Sequence, residues 1–99
     1  MKDLLADASA RSVRYLEDIA TRAVAPSPAA IAALDAFDEA LPEGPGTPAG
    51  TLQLLDEIGS PATMGMAGPR FFGFVIGGSL PVALAANWLA GAWDQNSCL

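Results

Sequence analysis

Residues 68–81 read GPRFFGFVIGGSLP. The architecture turns on them, because they open an apolar run that ends only at Trp93. From Phe71 to Trp93 no residue is charged, and 23 residues are long enough to cross a bilayer. The run also holds four glycines, a serine and proline near its middle, and Asn87. A helix broken there would leave backbone groups unpaired in lipid. Arg70 is the only cation near either end, so no orienting charge asymmetry flanks the run. A packed helix with a short β-prone segment before it is the better reading. A Gly-Gly-Ser turn ahead of a helix can hold a phosphate. This one has neither GxGxxG spacing nor a Walker lysine, so a chain reversal needing small residues accounts for it.

Outward from this run, the charge is lopsided. Ten of eleven acids lie at or before Glu57, and from Ile58 onward only Arg70 and Asp94 are charged. The 99-residue chain is 52% hydrophobic, 16% charged and carries net charge −6. At this length it makes at most one small domain. The acidic balance and scattered cations exclude phosphate-backbone binding. With no histidine and a single cysteine, Cys98, neither a Cys/His zinc site nor an internal disulfide is possible. The segment MKDLLADASARS has early acids and no apolar stretch, so it is no secretory signal, and a cytoplasmic setting is expected. An acidic front and an uncharged back suggest that the back packs against something outside these residues.

Hydrophobic spacing predicts a mostly α chain: about four helices and one short extended segment. Leu5, Ala8, Ser12, Tyr15, Leu16 and Ile19 mark an amphipathic helix over 3–23, closed before Pro26. Ser27 and Pro28 start a second helix, with Ile31, Leu34, Phe37 or Asp38, and Leu41 on one face. Thr47 and Pro48 start a third over about 48–58, with Leu52, Leu55 and Ile58 inward. Residues 62–68 read as loop and 71–76 as strand or extended chain. A fourth helix begins at Pro81 with Ser79 as its cap, and its wide apolar face includes Leu84, Trp88, Leu89 and Trp93.

Few residues carry candidate chemistry. Asp35, Asp38 and Glu39 share a helix and read as a solvated face. Asp94, Asn96 and Ser97 read as a turn ending the last helix. Cys98 has no electropositive neighbour to activate its thiol. Two roles are open to Arg70: covering Phe71 with its stem, or contacting an anionic group on another part of a larger protein.

Pro69-Arg70-Phe71-Phe72, the segment 73–76, Gly77-Gly78-Ser79, the helix from Pro81 to Trp93 and Asp94-Gln95-Asn96 together resemble the N-terminal region of the pyridoxal-phosphate-dependent group II amino-acid decarboxylases. Upstream, YLEDIATRAVAPSP and LPEGPGTPAGTLQLLDEI are similar to that family's first helix and its linker with a short helix. The resemblance covers essentially the whole chain, with its motifs densest over 69–97. It implies a dimeric carboxy-lyase of fold type I, an α/β architecture in which this chain is the N-terminal helical arm. Residues 1–68 would be the dimerisation arm, embracing a homodimer partner. Residues 69–99 would lead into the domain that binds pyridoxal phosphate. Phe74, Val75, Ile76 and Gly77 match the family's substrate-pocket lining, and their role would be shape and apolar contact with an amino-acid substrate. The family's Schiff-base lysine and ring-stacking histidine have no counterpart here: Lys2 is the one lysine. No catalytic, cofactor-binding or metal-binding residue is therefore expected in this chain. It reads as a fragment or truncated frame, inactive alone, with Cys98 standing where close relatives commonly have glycine. The alternative is a small helical interaction or membrane-associated protein anchored by 71–93.

Overall fold

A computed structural model describes residues 1–76, 78–96 and 98. Four α-helices occur in chain order, and no strand is present among the described residues. Helix α1 spans Lys2–Asp18, α2 Pro28–Ala33, α3 Pro48–Leu54 and α4 Pro81–Trp93. A 3-10 turn, Leu34–Phe37, extends α2. A π-turn, Leu55–Gly59, and a 3-10 turn, Ser60–Ala62, extend α3.

The starts of α2 and α3 come from one device used twice. The Ser27 hydroxyl accepts the Ala30 N–H at 3.1 Å, and the Thr47 hydroxyl accepts the Gly50 N–H at 3.1 Å. In each case proline occupies the next position, where its missing N–H costs nothing. Helix α4 departs from the expected cap. Its N-cap is Leu80, with no side-chain cap bond, and Ser79 stands one residue outside. Pro81 as first helical residue sets this register, because the cap must immediately precede it.

Two other boundaries differ from the sequence reading. Helix α1 stops at Asp18, not near residue 23. The Asp18 carbonyl accepts the N–H groups of Thr21 and Arg22 at 3.0 and 2.9 Å, and the Thr21 hydroxyl at 3.2 Å. Such local bonds from a threonine side chain compete with helical continuation. The second helix ends at Phe37, which leaves Leu41 92% exposed.

The expected extended segment over 71–76 is interrupted by a turn. Phe74 and Val75 both have left-handed backbone, with φ of 58° and 56°. The Ile76 N–H donates to the Gly73 carbonyl at 3.3 Å, closing a four-residue turn. β-propensity alone suggested strand here, but no neighbouring strand offers pairing among the described residues.

No hydrophobic side chain is fully buried among the described residues. The accessible surface is 7908 Å². A compact monomer of 10.1 kDa exposes about 5,300 Å². The radius of gyration is 15.8 Å, against about 13 Å for a compact domain of this length. The fold is an open arrangement of helices in which many large apolar side chains are exposed.

Candidate interaction site

A polar seam fastens α1 to the segment after α3. Arg11 Nε donates to Asp7 Oδ1 at 3.0 Å, one helical turn back, and Arg11 Nη1 donates to Asp56 Oδ2 at 2.8 Å. These carboxylates raise the Arg11 pKa above its ordinary value, chiefly through the Asp56 hydrogen bond and then that of Asp7. The other end of the seam lies just past the last turn of α1. Arg22 Nη1 and Nη2 donate to the Ser60 hydroxyl and carbonyl at 3.3 and 2.8 Å. The Thr63 hydroxyl donates to that same carbonyl at 2.8 Å. Its proton thus committed, Thr63 Oγ1 accepts from the Tyr15 hydroxyl at 2.8 Å. The Arg22 guanidinium also lies over the Tyr15 ring, 4.3 Å from its centroid. That is within cation–π range.

Beneath the seam is an apolar groove of 510 Å³ between α1 and the α3 extension, lined in part by Ala8, Ser12, Leu16, Leu52, Leu55 and Leu84. A second groove, of 320 Å³, separates α1 from α4, with Val13 and Leu16 facing Pro81, Leu84 and Trp88. Ser12, Leu16 and Leu84 belong to both, so the two grooves meet. The apolar stripe expected for the fourth helix does turn toward α1 over its first two turns. Leu84 alone is half-buried there, however, and both tryptophans are exposed. The arrangement offers apolar contact area, not acid–base or nucleophilic chemistry.

The residues matched to a pocket wall are placed plainly. Phe74 is 73% exposed and Val75 105%. Ile76 is also exposed, and none of the three lines either groove. Gly77 lies outside the described residues. Phe74 packs on Phe71, with ring centroids 6.0 Å apart. The Arg70 guanidinium donates to the Arg22 carbonyl, just past the end of α1. Asp94 is left-handed and ends α4, and Asn96 Oδ1 accepts the Cys98 N–H at 3.0 Å, which is the turn expected there. Ser97, the third member of that cluster, lies outside the described residues. Cys98 is exposed. Among the described residues no acidic, cysteine or histidine group is arranged to hold a metal ion.

Sequence reasoning found Tyr15 only as part of an apolar face and gave Arg22 no partner. Their partners, Ser60 and Thr63, fall in a segment without periodic signal. No family model matches the chain, nor does any curated protein or solved structure.

Proposed function

We propose that the chain is the N-terminal helical arm of a pyridoxal-phosphate-dependent amino-acid decarboxylase, completed by a homodimer partner and by the cofactor-binding domain. One observation carries this reading: α4 presents two tryptophans and a leucine to solvent from a helix with no charge and no buried residue. The chain exposes about 2,600 Å² more than a compact monomer of its mass would. Surface on that scale is what obligate assemblies bury. The arm contributes interface and, through 74–77, apolar wall to the substrate pocket.

The residues present do not fit the cofactor. Lys2, the single lysine, is exposed at the first residue of α1, and the sequence has no histidine to stack on a pyridine ring. No chemical step is assigned to this chain. Its part is to shape and to assemble.

Membrane anchoring through 71–93 finds less support. No helix among the described residues is long and apolar enough to cross a membrane. Helix α4, with 13 residues, spans about 20 Å against a hydrocarbon core of about 30 Å.

Sequencing the gene beyond the codon for Leu99 tests the proposal. A downstream frame, in phase or after a single frameshift, should encode a lysine-bearing and histidine-bearing cofactor domain. Its absence from the flanking DNA would overturn the reading. Pyridoxal phosphate added to the purified chain should leave the absorbance of the free cofactor unchanged, and a new long-wavelength band would count against it.

A further inference from the structure

The turn at 73–76 is the most strained place in the described backbone. Phe74 and Val75 are consecutive non-glycine residues in the left-handed region, and Val75 is β-branched. A left-handed β-branched residue is a conformational outlier, because its Cβ crowds the following carbonyl. Such backbone persists where surrounding structure over-determines it. Little does so here. One 3.3 Å hydrogen bond closes the turn, Val75 touches solvent on every side, and Phe74 leans on Phe71 alone among the aromatic rings. Among the described residues, Ile76 N–H is the only backbone N–H donor between Gly68 and Ala83 with a backbone acceptor.

Gly78 passes the Ala67 carbonyl so closely that an added Cβ would lie 3.2 Å from that oxygen. Beyond it, α4 faces α1 across the open 320 Å³ groove, through Leu84 and Trp88 against Val13 and Leu16. A rigid helix therefore hangs from a strained connector and rests on one partly filled seam. Moving Phe74 and Val75 from left-handed to extended backbone changes φ by more than about 100° at each residue. That redirects everything after Ile76. Hinges are a few connector residues that absorb φ/ψ changes of this kind.

We propose that 73–76 is the hinge of α4. With the turn closed, α4 lies beside α1 across the 320 Å³ groove. With the turn extended, α4 swings outward and the groove that it walls is lost. Backbone conformation and packing carry the hinge, so it stands whether or not the decarboxylase reading does.

Relaxation-dispersion NMR on the full 99-residue chain provides the test. The amides of Phe74, Val75 and Ile76 should exchange between two states, the minor one populated at roughly 0.1–10%. Leu84, Trp88 and Leu16 should exchange at the same rate, because they report the seat of α4. The double variant F74N/V75G supplies the Asn-Gly pair that suits two consecutive left-handed residues. It should abolish exchange at all six positions. The variant F74P cannot reach positive φ, and it should move the Leu84 and Trp88 resonances to their minor-state positions. Exchange confined to 74–76 with α4 silent would overturn the hinge, as would a single conformer in the unmodified chain. So would an F74P spectrum with Leu84 and Trp88 unmoved.

Discussion

The guanidinium of Arg22 lies 4.3 Å from the centre of the Tyr15 ring, so the turn that ends α1 folds back over the helix. The ring's hydroxyl reaches Thr63, 48 residues along the chain. One aromatic side chain thus fastens the end of α1 to the segment after α3, where no hydrophobic side chain among the described residues is fully buried to do so.

Tyr15→Phe keeps the ring beneath Arg22 and removes the hydroxyl. The expected loss is about 0.5–1.5 kcal/mol, the net worth of one such hydrogen bond. Arg22→Ala should cost more, because it removes the stacking and both bonds to Ser60 together. Urea unfolding followed by far-UV circular dichroism measures both. Equal midpoints for the two variants would overturn this ranking, since Arg22 would then be worth no more than the single Tyr15 hydroxyl bond.

Gly68 is packed where a side chain does not fit. An added Cβ would lie 3.0 Å from the Ile19 carbonyl oxygen and 3.1 Å from Ile19 Cγ1. Gly68→Ala should destabilise the chain by about 1–3 kcal/mol, as overpacking does. Gly44→Ala is the control, because nothing lies within 4 Å of its Cβ position. It should change stability by less than about 0.5 kcal/mol. Thermal melts of the two variants side by side give the comparison.

The Arg11–Asp56 tie has a defined alkaline behaviour. The folded-state pKa of Arg11 is raised above its ordinary value, first by Asp56 and then by Asp7. Its contribution is therefore fully present below the unfolded pKa and lost only as pH rises through the still higher folded value. The stability difference between the parent chain and Asp56→Asn should stay flat from about pH 7 to pH 10. A difference that shrinks steadily over that range would mean that another group carries the tie. Arg11→Lys should weaken it at every pH, because a point charge cannot serve two carboxylates with a planar fork.

The helix caps give the sharpest local test. Ser27→Ala and Thr47→Ala should each cost about 1 kcal/mol and lower the helical signal. Ser79→Ala should be silent, because Ser79 is not the cap of α4. Backbone chemical shifts of the first turns of α2, α3 and α4 read this directly.

The caps also show what the sequence makes legible. Serine or threonine followed by proline specifies both the hydroxyl acceptor and the next residue's φ, so α2 and α3 start where expected. Ser79-Leu80-Pro81 carries the same residue types one position apart, and there the proline, not the serine, fixes the register. The end of α1 was hidden because it depends on Thr21 bonding back to Asp18 and on Arg22 finding Ser60. Neither partner is announced by periodicity. The turn at Phe74 and Val75 ran against every local preference of those residues. Of the interaction site, the apolar face of α4 could be read from its spacing. The polar seam could not, because half of it comes from the aperiodic stretch 60–64.

The π-turn at Leu55–Gly59 bears on how the chain tolerates change in length. A π-turn holds one more residue than the helical turn it replaces. Deleting any one residue from it would restore ordinary helix and rotate the downstream segment by about 100° about the axis. Ser60 and Thr63 would then point away from Arg22 and Tyr15. The extra residue acts as a phase shift, setting the angular address at which α3's extension meets α1. A one-residue deletion within 55–59 would therefore unfasten the Ser60 and Thr63 end of the seam.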